Sequence, residues 1–207
     1  MNEIPAEPSR SQRLKAATRS VHDALDKRIM AADIFASRGN FARFLRVQYR
    51  FHRDVDPLYA SAQLEALLPE LCERRRLPKI ADDLGDLGQL PPPPAPCRLD
   101  GDTPLPSALG WLYVAEGSNL GGAILFKLAG EKLGLGRDFG ARHLAAHPDG
   151  AARHWRGFTA ALDALALSPA QEDEVVRGAE AAFRAVRGYA EEELPQPATD
   201  FGQARGA

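Results

Sequence analysis

Residues 110–122 read Gly110-Trp111-Leu112-Tyr113-Val114-Ala115-Glu116-Gly117-Ser118-Asn119-Leu120-Gly121-Gly122. Apolar residues on both sides keep helical spacing, which predicts one helix over 107–133, stopped by Gly134 and Gly136. Gly117, Gly121 and Gly122, at the middle of that helix, cost about 1 kcal/mol each relative to alanine. A whole domain is stable by only about 5–15 kcal/mol, so something must compensate. Tyr113, Gly117 and Gly121 follow one another at i+4 and form one stripe. Without Cβ atoms, that stripe lets a flat ligand approach the backbone and lets the helix kink. It would serve equally as a seam for close packing of another helix, and the stripe alone does not choose between the two.

Working outward, the preceding stretch Gln89–Pro106 is crowded with prolines and reads as a stiff, extended connection within one domain. Before it, Leu14, Ala17, Val21, Leu25 and Ile29 predict a helix over 11–31 with that stripe inward. A second helix begins near Ser37 and carries Phe41, Phe44, Leu45, Val55 and Leu58, with Pro57 ending or kinking it. Residues 64–87 read as one or two shorter helices interrupted by Pro69 and Pro78. After the glycine helix come a short helix over 139–144, another past Pro148 with Trp155 and Phe158 on one face, and a last one to about Leu194. That last helix opens with Ser168-Pro169-Ala170-Gln171, an N-cap, a proline at the first position and a capping-box glutamine. No strand pattern and no repeat is present. The class is all-α: a single-domain, multi-helix orthogonal bundle over 9–194, with flexible ends at 1–8 and 195–207.

Composition narrows the function. The formal charge is −2 in 207 residues, which argues against a nucleic-acid partner. Arg74-Arg75-Arg76 is too short to change that and reads as a solvated helix face. Cys72 and Cys97 lack metal or redox spacing and fit a reducing, cytoplasmic setting. No apolar run is long enough to insert into a membrane, and the polar, proline-bearing start lacks the apolar core of a secretory signal.

The second chemical stretch lies on the first helix. His22 is followed four residues later by Asp26 on the same face. A neutral imidazole ligates iron well, and a carboxylate near its other nitrogen fixes the tautomer. Lys15 stands seven residues earlier at nearly the same azimuth, with an axial offset of roughly 10 Å. That is about the reach from a heme iron to its propionates. Arg19 lies on a neighbouring azimuth and is a second candidate cation. A surface histidine among scattered charges is the commoner circumstance, and His22 alone assigns nothing.

Taken together, the segments are more specific. Ser11-Gln12-Arg13-Leu14, His22, Phe35-Ala36-Ser37, Phe41-Ala42-Arg43-Phe44, Gln48-Tyr49 and Pro57-Leu58-Tyr59 resemble the bacterial heme oxygenases in order and spacing. So do Ala108–Ser118 and Asp138-Phe139-Gly140-Ala141-Arg142-His143-Leu144. The resemblance spans residues 9–190 and implies heme held between a proximal and a kinked distal helix. It places His22 as the axial iron ligand and Gly117, Ser118, Gly121 and Gly122 on the distal helix, over the other heme face. Asp26 takes the carboxylate position after the ligand, where relatives often carry Glu; the shorter side chain leaves direct contact or a bridging water open. Lys15 and Tyr113 match positions that in some relatives hold the propionates and set the heme's rotation, which implies cleavage at the α-meso carbon.

The activity implied is O2- and electron-dependent opening of heme to biliverdin, CO and ferrous iron, with heme both cofactor and substrate. Histidine suits it, because a strongly donating thiolate favours early O–O cleavage. Ordered water can deliver protons, and His52 is a candidate outer member of that network, though a partly exposed histidine is the plainer reading. No nicotinamide or flavin fingerprint is present, so an external donor, a ferredoxin or reductase, is implied. The biliverdin could supply a bacteriophytochrome or simply release iron. His143, His147 and His154 read as structural, and Trp111, Trp155 and Phe183 as core, with Phe183 a possible pocket wall. The rival readings are a heme carrier or sensor, which commonly supplies a second protein ligand absent from 113–122, and a helical interaction module that binds no heme.

Overall fold

Ser9 and Gln12 form a capping box that starts α1 (Arg10–Ala31), and Ser168 and Gln171 form another that starts α7 (Pro169–Glu193) behind Pro169. In the computed structural model, residues 7–68 and 70–195 are described. Most of the expected flexible ends, and Pro69, lie outside the described residues. Between the capping boxes run α2 (Arg38–Tyr59), α3 (Ala62–Leu67), α4 (Leu77–Asp86), α5 (Leu105–Leu133) and α6 (Ala151–Asp163). Short 3-10 turns occupy Cys72–Arg74 and Arg142–Leu144. Among the described residues the only β pairing is a pair of isolated bridges at Gly136, so the all-α class holds. No described helix is long and apolar enough to cross a membrane.

Helix α5 is the centre of the bundle. Ala108 through Glu116 are all buried, and the helix crosses α7 where two glycines meet. A Cβ on Gly110 would overlap the Val175 carbonyl and the Ala179 nitrogen, and one on Gly178 would overlap the Ser107 carbonyl. These backbones touch because both side chains are missing. The same helix ends at Gly134, whose φ of 65° is open to glycine and lets Leu135 N donate to the Ala129 carbonyl.

Helix α1 lies along α7. Arg10 grips Glu172 at 2.7 and 3.1 Å and also donates to the Leu162 and Leu165 carbonyls. Ser11 donates through N and Oγ to Asp163, both at 2.7 Å. Near the other end, Arg28 donates to the carbonyls of Ala190 and Leu194.

Several expectations need correction. The inward stripe of α1 is Leu14, Thr18, Leu25 and Ile29, whereas Ala17 and Val21 are exposed. Thr18 can be buried because its hydroxyl donates to the Leu14 carbonyl at 2.8 Å. Pro57 does not stop α2, which runs to Tyr59. Lacking an N–H, Pro57 leaves the Arg53 carbonyl unclaimed, and Cys97 Sγ approaches it at 3.5 Å. The helix expected over 139–144 shrinks to one 3-10 turn, because Gly140 takes a φ of 74°. Arg74–Arg76 is not a solvated face. Arg74 is buried and Arg76 half-buried, and only Arg75 is exposed, paired with Asp56 at 2.6 Å.

Candidate functional site

The candidate residues of α1 sit on one open flank beside the buried stripe. The His22 side chain is 54% exposed, with Nδ1 3.3 Å from Asp26 Oδ2. The carboxylate therefore lies beside the imidazole, within ion-pair distance of it. The edge of the His22 ring meets Phe183 of α7 at 5.8 Å between centroids, 76° apart. Phe183 is buried, so it belongs to the core and to the wall behind the imidazole at once. Lys15 and Arg19 are exposed on the same flank.

On α5 the glycines separate by role. Gly110 is demanded by packing. Gly121 is not: a Cβ there would meet nothing within 4 Å. A Cβ on Gly117 would make an ordinary 3.5 Å contact with Trp155, and one on Gly122 would lie 3.6 Å from the Leu144 carbonyl. The glycine stretch is therefore not a close-packed seam like the one at Gly110: Gly117 meets α6 only through the Trp155 ring, at an ordinary distance. It borders an open face on which Leu120 and Ile124 also stand exposed. Ser118 Oγ turns back to the Ala115 carbonyl at 2.7 Å, leaving no free hydroxyl on that turn.

Tyr113 links the two helices. Its buried ring tilts against Trp155, and its hydroxyl approaches the Ser11 carbonyl at 3.5 Å. Burial, with Asp163 nearby, raises its pKa, so it remains a hydrogen-bond donor. The residues thus gather around a shared support. Helix α7 backs His22 through Phe183 and carries α5 through the Gly110–Gly178 crossing.

Behind α5 lies a buried polar cluster that the spacing of the sequence does not reveal. Glu116 accepts from Tyr59 Oη at 2.8 Å, Arg74 Nη1 at 3.0 Å and Asn119 Nδ2 at 3.4 Å. Arg74 also donates to the His154 carbonyl and lies over the Phe158 ring. A lone acid inside the apolar run 108–116 was the available signal, since a buried carboxylate needs partners. His52 is buried, not partly exposed, and its Nδ1 has no partner among the described residues. Burial, then Arg76 and His143, lower its pKa to about 3. His143 is buried against Asp83: Nδ1 lies 2.7 Å from Asp83 Oδ2, which also accepts the His143 N–H. Burial would raise the Asp83 pKa, but the bonds from His143 and Arg142 outweigh it and hold the carboxylate below its usual range. His147 and His154 stack at 4.4 Å between centroids. Trp111 is core, and Trp155 is half-buried between Tyr113 and Phe158.

Comparison with known proteins bears on this geometry. The heme oxygenase family profile matches residues 9–192. The chain is 44% identical over 174 residues to the heme oxygenase PigA of Pseudomonas aeruginosa, covering 84% of this chain and 87% of the relative. It is 34% identical over 115 residues to a heme oxygenase of Xanthomonas campestris, covering 53% and 64%. Among solved structures, it is similar to the NO- and CO-bound heme oxygenase of Neisseria meningitidis, with a TM-score of 0.85 and 40% identity over 95% of this chain and 99% of that one. The heme oxygenase of Leptospira interrogans shares the fold at a TM-score of 0.74 and 20% identity, over 89% of this chain and 100% of that one.

Proposed function

Because the chain belongs to the heme oxygenase family, we propose that its open α1 flank and the glycine stretch of α5 are the two walls of the heme slot. The enzyme is a heme oxygenase. The contrast within α5 carries our reading of the slot: Gly110 is explained by packing, while Gly121 faces open space with room for a ligand.

Heme, when bound, supplies both the iron that takes up O2 and the macrocycle that is oxidised. The chain's own residues fit it. His22 is exposed enough to ligate iron through Nε2, and Asp26 beside Nδ1 holds the proton there, keeping the Nε2 lone pair free. Phe183 stops the imidazole from turning inward. Val21, Leu120 and Ile124, exposed here, offer apolar contact to a porphyrin. Gly117, Gly121 and the buried Gly122 carry no side chain and the Ser118 hydroxyl is turned back to the Ala115 carbonyl, so nothing from this turn competes as a second iron ligand. Lys15 and Arg19 meet the propionates, and the Tyr113 hydroxyl joins them by exchanging its long bond to the Ser11 carbonyl for a carboxylate, a seating that favours α-biliverdin. His52, neutral at working pH, neither donates an acidic proton nor repels the Arg76 guanidinium. Electrons come from a separate ferredoxin or reductase. We place the reaction in the cytoplasm, with its product available to a bacteriophytochrome.

The test is hemin titration of the purified protein, then ascorbate or a ferredoxin system under air, with chromatography of the products. The expected result is a Soret band that decays to α-biliverdin in wild type, and loss of the His-ligated spectrum in His22→Ala. A Soret band that persists under turnover conditions would assign the chain to heme carriage. Another isomer would remove the seating by Lys15 and Tyr113. Turnover in His22→Ala equal to wild type, without added imidazole, would refute the ligand.

A further inference from the structure

Burial along α5 changes abruptly at one residue. Every position from Ala108 to Glu116 is buried, and from Gly117 to Ile124 only Gly122 is. Glu116 stands at that boundary with its carboxylate 1% exposed. A buried carboxylate in an apolar run destabilises a helix unless it is fully paired, and this one is paired to three different places. Tyr59 is the last residue of α2, Arg74 ends the first 3-10 turn, and Asn119 lies in the next turn of α5 itself. Arg74 extends the tie to α6 through the His154 carbonyl and the Phe158 ring. Burial, and then the charge of Glu116, keep the Tyr59 hydroxyl protonated well above the ordinary tyrosine range, so it donates at any working pH.

The far end of the stretch is fixed too. Ala129 is buried, Leu135 N closes on its carbonyl, and Arg38 holds the Leu133 carbonyl at 3.0 and 3.1 Å. Between these ends run the three glycines, which lack Cβ atoms to stiffen the backbone. We propose that Glu116, clamped by Tyr59 and Arg74, is a positioning residue that fixes where the soft part of α5 begins, and so how near the Gly117–Gly122 backbone comes to the heme face. The inference rests on the slot proposed above. The Asn119 bond carries the restraint to the following turn across Gly117, which the side chain of Trp155 adjoins.

A merely structural ion pair would lower global stability and leave the stretch otherwise unchanged. The test uses Tyr59→Phe, which removes one donor and keeps the ring, and Glu116→Gln, which keeps the shape and removes the charge. Peptide-resolved amide hydrogen exchange is read on the heme-free proteins. A hydrogen bond to a charged group contributes enough that losing one should speed exchange at 117–124 by about tenfold, with 105–115 unchanged. In hemin-loaded ferric protein, azide affinity should shift by at least about threefold while hemin affinity stays constant. Exchange that rises evenly along α5, or stays at wild-type rates in both variants, overturns the proposal. Unchanged azide affinity beside faster local exchange overturns its second half. If Tyr59→Phe does not fold, Glu116→Gln decides alone. Failure of hemin to bind wild type would refute the slot, yet leave the exchange result to be judged separately.

Discussion

A histidine with no acid beside it, sealed in a core, makes stability depend on pH. His52 titrates near 3 in the fold and near 6.5 in the unfolded chain. The folded value is the lower, so as pH falls the unfolded chain takes up the proton first. Stability from this site is complete above about 6.5 and is lost as pH falls towards 3. Linkage sets the loss at about 2 kcal/mol by pH 5. His143 acts in the same direction, burial lowering its pKa against the pull of Asp83. Urea unfolding of the heme-free protein at pH 7 and 5 should show His52→Gln losing about 2 kcal/mol less than wild type. Parallel losses would mean that His52 is not the titrating group. At this scale the sequence was partly legible. The approach of Asp26 to His22 could be read because both lie on one helix at i,i+4 spacing. The burial of His52, Arg74 and Arg76 could not, since it depends on Glu116, His143 and His154, brought from distant elements.

Helix α5 shows one residue type serving opposite ends. At Gly110 a side chain has no room, and at Gly121 it has nothing to touch. Gly110→Ala must push α5 from α7 and should cost at least about 2–3 kcal/mol, as overpacking does. Gly121→Ala should instead stabilise the heme-free protein by up to about 1 kcal/mol, the helix propensity regained. It should also slow heme turnover, because a methyl group now stands on the open face. Denaturant midpoints and single-turnover rates of both variants check this, and Gly121→Ala with wild-type turnover would return the stretch to plain structure. The helices themselves were legible, because caps such as Ser168 and Gln171 and stops such as Gly134 act locally. The choice between packing and ligand was not, since it turns on what lies across from each Cβ. The turn at Arg142–Leu144 was misread for a related reason. Its sequence suits a helix, but Gly140 bends the chain so that its own N–H reaches Asp86 at 2.8 Å and the Arg142 N–H reaches Asp83 at 3.0 Å.

For the molecule as a whole, the slot is only as well defined as the placement of α1 against the rest. Arg10 pairs with Glu172, and Arg28 donates to the Ala190 carbonyl. The separation is 162 in both cases (172 − 10 and 190 − 28), so α1 and α7 run parallel and in step over their whole shared length. The flank bearing His22 is left free between these two ties. The Arg10 tie is the stronger, since its guanidinium is buried and also claims two carbonyls at the end of α6. Breaking a buried pair from one side strands the other charge, which costs about 3–5 kcal/mol. Glu172 is partly exposed and also meets Arg13 at 2.8 Å, which places Arg10→Met near the lower figure. The tie lies about 18 Å from His22 along the helix, at 1.5 Å per residue, too far to touch the ligand. If it only held the fold together, Arg10→Met would lower the denaturant midpoint and leave hemin affinity alone. If it sets the position of α1, hemin must restore that position as it binds, so affinity should fall several-fold and the variant should gain more stability from saturating hemin than wild type does. Hemin titration and denaturant unfolding, with and without hemin, separate the two, and equal hemin affinity in both proteins would show that α1 holds its place without Arg10.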